Sequence, residues 1–183
     1  MISATHEGHA APIRRRLLAW SVAALVPISG LGAQVPAVPP VPATIVGAAE
    51  LDATMRRSVA NNTLDTKVAE TPVEGGLIRV GIIHRTRAET RALVHQELTE
   101  IYQIIEGSGT LVTGGTAQDS SPVSDPANLG TTPSFFVTQV GGEIRRVGPG
   151  DVVILPAGLP HRLSEIDGPI SYYIYRFEPT QPR

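Results

Sequence analysis

From about Lys67 to the C-terminus, apolar and polar residues change places over short runs broken by glycine and proline, the pattern of strands joined by tight turns. The pattern predicts strands over 77–85, 94–96, 100–106, 110–113, 135–140, 143–147, 152–155 and 170–177, with another starting at His161. Gly107-Ser108-Gly109 and Gly114-Gly115 end two of them. Gly141-Gly142 reads as a hairpin turn, and 116–134 as a polar, turn-rich loop. Within 77–85, Ile78, Val80, Ile82 and His84 share one face, read as the buried one. Upstream the period changes: Leu51, Met55 and Val59 recur at helical spacing between Ala48 and Ala60, and Asn61-Asn62 ends the run. This predicts one short helix, covering the barrel or taking part in a dimer contact. No helical stretch separates the strands. The expected fold is therefore all-β, an antiparallel barrel or jelly roll closed to avoid open edges, with one short N-terminal helix.

The first 33 residues follow a different logic. Arg14-Arg15-Arg16 precedes an apolar run from Leu17 to Ile28, and Ser29, Gly30, Leu31, Gly32 and Ala33 follow. A basic start, an apolar centre and a small-residue exit describe a secretory signal peptide. The run is shorter than the ~20 residues that span a bilayer. Cleavage is expected after Ala33, leaving Gln34 first; the alternative is an uncleaved N-terminal anchor. An exported protein, periplasmic or secreted and without stable membrane association after cleavage, follows. Residues 34–46 are Pro-rich and read as an extended arm. The organisation is thus 1–33 signal peptide, 34–66 arm and helix, and 67–183 barrel domain.

Composition narrows the chemistry. The 183 residues carry a formal net charge of -2, with no basic patch beyond Arg14 to Arg16, so nucleic acid is not an expected partner. Cysteine is absent, which excludes disulfides, thiolate metal sites and cysteine nucleophiles. No phosphate-binding or dinucleotide-binding glycine motif sits between strand and helix. Gly107-Ser108-Gly109 is a turn rather than a nucleophile elbow. Removal of the leader takes away His6 and His9, so the mature chain keeps His84, His95 and His161.

Two of those three histidines lie in spaced motifs. Gly150 is followed at fixed intervals by Pro156, Gly158, His161 and Glu165. Gly148-Pro149-Gly150-Asp151 makes a tight turn into a strand, Pro156 ends the ladder, Gly158 permits a sharp turn, and His161 opens the next strand pointing inward. Upstream, His95, Glu100 and Gly107 form a second, partial motif. Together these resemble the two motifs of the cupin superfamily over residues 87–165. The departures are Glu165 where the family has Asn, Leu93 where it has its first histidine, and Arg87 where it has its leading glycine.

The resemblance implies a small jelly-roll barrel, commonly a homodimer, with a divalent metal on His95, Glu100 and His161. Two imidazoles and one carboxylate with open positions suit iron, and also manganese, zinc, nickel, cobalt or copper. Leu93 cannot ligate; Glu97 and His84 are candidates for a fourth ligand or a supporting partner. Tyr102 shares the inward parity of Glu100 and is a candidate for substrate contact, with core packing as the alternative. Glu165 keeps the parity of His161 and is a candidate for proton transfer, with a place at the rim as the alternative. Tyr172, Tyr173 and Tyr175 divide between the two faces of the last strand. Three functions compete: a metal-dependent dioxygenase or other oxidoreductase acting on a small organic molecule; a non-catalytic barrel that binds a small molecule with weak or no metal; and a metal-free isomerase or epimerase.

Overall fold

A computed structural model describes residues 42–180; the expected signal peptide and most of the Pro-rich arm lie outside the described residues. Helix α1 (Ala48–Asn61) comes first. Asn62 ends it in the left-handed region at φ 49°, its N–H donating to the carbonyls of Ser58 and Val59. The buried helix positions are Thr54 and Ser58, while Val59 is 43% exposed, so the stripe read from Leu51, Met55 and Val59 is displaced. The reason is polar: the Ser58 and Thr66 hydroxyls are hydrogen-bonded at 2.9 Å, fastening the helix to the first strand through side chains that an apolar period does not mark.

The strands are β1 (Asp65–Val73), β2 (Gly76–Arg85), β3 (Ala92–His95), β4 (Thr99–Glu106), β5 (Gly109–Thr113), β6 (Thr116–Val123), β7 (Ser134–Val140), β8 (Glu143–Val147), β9 (Val152–Leu155), β10 (His161–Ile166) and β11 (Ile170–Pro179). They form two antiparallel sheets, ordered β1-β2-β11-β4-β9 and β6-β7-β3-β10-β5-β8. Among the described residues, the all-β jelly roll with one helix ahead of the strands is what forms. Ile83, Ile104, Leu111, Leu155, Leu163 and Ile174 make the core. Each such side chain, fully buried, contributes about 1.5–3 kcal/mol relative to exposure.

The β2 face read as buried is covered, with Ile82 and His84 buried, but it packs on the helix side rather than toward the barrel interior. Thr66 opposes Ile82, and Thr66 is bonded to Ser58 of α1, so Ile82 and His84 lie on the outer face under the helix side. The interior face carries Ile83 and Arg85, opposite Tyr172 and Ile170 of β11. Both faces of this strand are covered, which is why its apolar run is nearly continuous.

The Gly141-Gly142 hairpin does not form. Thr113 opposes Glu143, and Thr116 opposes Val140, so the register is unchanged on either side of the glycines. β5 and β6 form one long arm and β7 and β8 the other, a single two-stranded ribbon bent at Gly114-Gly115 and Gly141-Gly142. All four glycines have positive φ. A Cβ at Gly115 would meet the Val140 carbonyl oxygen at 2.5 Å, and one at Gly142 the Thr113 carbonyl oxygen at 2.8 Å. The segment read as a loop over 116–134 therefore contains β6, an edge strand whose exposed residues show no apolar alternation. Arg91 holds it, donating to the Ser121 hydroxyl at 2.7 Å, to the Phe136 carbonyl at 2.9 Å and to the Asp119 carbonyl.

Candidate metal centre

Three strands bring the site together. His95 closes β3, Glu100 is the second residue of β4, and His161 opens β10. β3 and β10 pair at a single position, Leu93 opposite His161. The turn before β10 is secured to the other histidine: Gly158 N–H donates to the His95 carbonyl at 2.7 Å. Gly158 sits at φ +79°, where a side chain would be strained.

The ligand atoms of His95, Glu100 and His161 all lie within 4.8 Å of one another, and all three residues are buried. His95 Nε2 is 3.7 Å from Glu100 Oε1, and His161 Nε2 is 3.3 Å from Glu100 Oε2. Hydrogen bonds assign the tautomers. Ser134 Oγ donates to the Thr132 carbonyl, so it accepts from His95 Nδ1–H at 2.8 Å. His161 Nδ1–H donates to the Leu159 carbonyl at 2.9 Å. Each imidazole therefore turns an Nε2 lone pair toward the carboxylate. His161 Nε2 is buried without a hydrogen-bond partner; its 3.3 Å approach to Glu100 lacks hydrogen-bond geometry. Three convergent lone-pair donors, one of them orphaned, fit a divalent cation.

Glu100 is fixed from two further sides. Tyr102 Oη–H donates to Oε2 and Arg176 Nε–H to Oε1, each at 2.9 Å. Arg176 also grips Asp65, Nη2 donating to Oδ2 at 2.7 Å. Burial alone would raise the Glu100 carboxyl pKa; His161, Arg176 and His95 outweigh it and hold the group well below the ordinary carboxylate range. Burial lowers His95 to about 4, leaving it neutral at pH 7. Burial also opposes charge on His161, but Glu100 and the Leu159 carbonyl outweigh it and raise its pKa. Burial and then Glu100 push Tyr102 well above its usual value, so its hydroxyl keeps its proton.

A 160 Å³ cavity borders the cluster, its wall including His95, Glu100, Tyr102 and Arg176. It shares Leu64, Arg85, Leu93 and Phe136 with a 710 Å³ groove outside it. Leu93 thus forms wall rather than ligand.

Not every candidate joins the site. A bulge between Leu163 and Glu165 sets Glu165 opposite Thr110, whose hydroxyl it accepts at 3.0 Å on the exposed outer surface. The extra residue reverses the expected parity and removes Glu165 from the interior. His84 hydrogen-bonds the Ser171 hydroxyl on the outer face of β2 at 2.9 Å. Glu97 lines a separate cavity with Glu178 and Thr131. Tyr172 is interior, its ring 4.6 Å from that of Tyr102, while Tyr173 and Tyr175 lie on the other face. Sequence reading missed Arg176, Asp65 and Ser134. Arg176 keeps the strand parity of Tyr172 and Ile174, so it points inward with them.

No family model matches the chain, and no curated protein matches it. Several solved structures are similar. A Bacillus halodurans protein, BH2720, is 17% identical, with 78% of this chain and 86% of that one covered and a TM-score of 0.46. KdgF from a Halomonas species is 19% identical, covering 64% and 78%, at a TM-score of 0.41. A cupin superfamily protein from Desulfitobacterium hafniense is 13% identical, covering 63% and 76%, at a TM-score of 0.39. With two antiparallel sheets facing across one core, and the motif from Gly150 to His161 turning into an interior strand beside Glu100, the chain has the cupin jelly-roll fold.

Proposed function

We propose that this protein is an exported, metal-dependent oxidoreductase of the dioxygenase type, acting on a small organic molecule in the 160 Å³ cavity. The observation that carries the reading is the convergence of the His95, Glu100 and His161 lone pairs, with His161 Nε2 buried and unpartnered. His95 Nε2, His161 Nε2 and a Glu100 oxygen would hold the metal. A bound redox-active metal with open positions supplies oxygen activation, and zinc in the same place supplies Lewis acidity.

The chain's own groups prepare the site. Ser134 and the Leu159 carbonyl fix the imidazole tautomers. Arg176 and Tyr102 hold one orientation of the Glu100 carboxylate. Tyr102 retains its proton and gives it to Glu100 Oε2, so toward a ligand its hydroxyl acts as an acceptor and not as a base. Ile83, Leu129 and Phe136 give the cavity an apolar wall.

Elemental analysis of protein purified without added metal, followed by oxygen-consumption assays over small organic substrates, tests the proposal. Stoichiometric iron, manganese, nickel or copper with oxygen uptake supports it; the metal with no uptake over a broad panel sinks the catalytic part. Export is tested by N-terminal sequencing of the protein from its native compartment, where Gln34 is expected first.

A second reading is a ligand-binding barrel with weak or no metal. Arg176 favours it, because a guanidinium already bonded to Glu100 competes with a cation for the same carboxylate. Protein that emerges metal-free and refuses iron and zinc would establish this reading over the first.

A further inference from the structure

We infer that the cavity takes a small monocarboxylate, with Arg85 as the residue that anchors its carboxylate. The inference rests on the metal-binding reading above and adds the ligand class.

Arg85 ends β2 on the interior face and lines both the 160 Å³ cavity and the groove outside it, so it stands where the two meet. Its guanidinium is only partly used. Nη2 pairs with Glu89 Oε1 at 3.0 Å. Nε is buried with no hydrogen-bond partner. A buried donor left unsatisfied is costly, and a ligand that accepts from it recovers that cost.

The head group is held in place. Glu89 Oε2 accepts the Leu163 N–H at 2.7 Å, and the Glu89 N–H donates to the Leu163 carbonyl at 2.8 Å. Arg85 is thus braced by a carboxylate that is itself fastened to β10. Arg176, the other guanidinium on the cavity wall, has Nε, Nη1 and Nη2 committed to Glu100 and Asp65. Arg85 is therefore the wall cation with an unspent donor.

Charge limits the ligand. Asp65, Glu100 and Asp125 on the wall, with Glu89 paired to Arg85, face Arg85 and Arg176; four formal negative charges against two positive leave -2, which a divalent cation brings to 0. A monocarboxylate then brings one charge to the one unspent guanidinium donor, whereas a dianion brings a second with no donor to meet it. Leu93, Leu129 and Phe136 leave apolar wall for the carbon part of such a ligand.

The test is calorimetric titration of the metal-loaded protein with pyruvate and benzoate, each against its neutral isostere, pyruvamide and benzamide. At least one acid is expected to bind roughly tenfold or more tightly than its amide, the scale of a charge-assisted contact. Arg85→Met should erase that preference while the metal content, measured on the same samples, stays as in wild type. Arg85→Lys should restore part of it, and Glu89→Gln, which removes the competing carboxylate, should strengthen acid binding. Metal-loaded protein that binds acids and amides alike overturns the inference and leaves the metal reading standing, as does Arg85→Met that is folded and retains the preference. Wild-type protein that takes up no metal overturns the metal reading itself, and with it this inference.

Discussion

Gly158 gives its backbone N–H to the carbonyl of His95 at 2.7 Å, so the turn of one motif is tied to the ligand of the other. The contact explains why the spacing between Gly158 and His161 matters to a residue more than sixty positions earlier in the chain. Gly158→Ala meets no neighbour within 4 Å but places a side chain at φ +79°. A loss of about 1 kcal/mol is expected from the backbone strain. Differential scanning calorimetry should show the lower midpoint, and a chelator competition should show weaker metal binding as the turn relaxes.

Ser134→Ala removes the acceptor that fixes the His95 tautomer. Outer partners of this kind typically contribute 10–100-fold in metal affinity. The variant should stay folded, because Ser134 is small and its backbone pairing with β3 is untouched. Metal titration against a competing chelator should show the loss; an unchanged affinity would remove Ser134 from the site's support.

Metal binding should depend on pH through His161 before His95. Metal requires both imidazoles deprotonated. His161 is raised above its ordinary 6.5, whereas His95 is lowered to about 4. Affinity should therefore be full above the raised His161 value. It should weaken by about one decade per pH unit as pH falls below it, with His95 adding a second decade only near pH 4. Affinity flat between pH 8 and 5 would contradict the assignment.

Glu178 gives an acid-stability test away from the metal. Arg79 donates to it at 2.7 Å, and Thr131 donates through both N–H and hydroxyl. Burial opposes its charge, but these donors outweigh it and lower its pKa from 4.5. A depressed carboxyl stabilises the fold fully above its unfolded value and loses that contribution as pH falls through the folded one. Glu178→Gln should thus cost about 2 kcal/mol at pH 7, with the gap to wild type closing below about pH 4.5. Urea unfolding at pH 7 and pH 3 measures both ends.

The parts of this protein that were legible in sequence are those fixed by local geometry. The turn from Pro156 to Pro160 is short and stiff, so the spacing alone puts His161 at a strand start. Alternation along β4 places Glu100 and Tyr102 on one face, and they meet at 2.9 Å. Pairing between distant segments was not legible. Two β runs flanking Gly-Gly look the same whether they fold back on each other or each pair elsewhere. A one-residue bulge leaves no mark in composition, and it sufficed to turn Glu165 outward. Arg176 hid for a chemical reason: a cation in a strand reads as solvent-facing unless its partners, Glu100 and Asp65, are already known to be inside.

The bent ribbon has a consequence for the distance between the two histidines. Before the glycines, β5 runs alongside β10 and sets Thr113 opposite His161. After them, β7 runs alongside β3 and sets Ser134 opposite His95. The ribbon works as a bracket, one limb gripping each imidazole's strand. The separation of the imidazoles is then governed by an angle in backbone that neither histidine belongs to. The length of the turn at 124–133 can drift without touching that angle, whereas a side chain at Gly115 or Gly142 would push against backbone oxygens and change it, so the elbow rather than the tip of the ribbon calibrates the site.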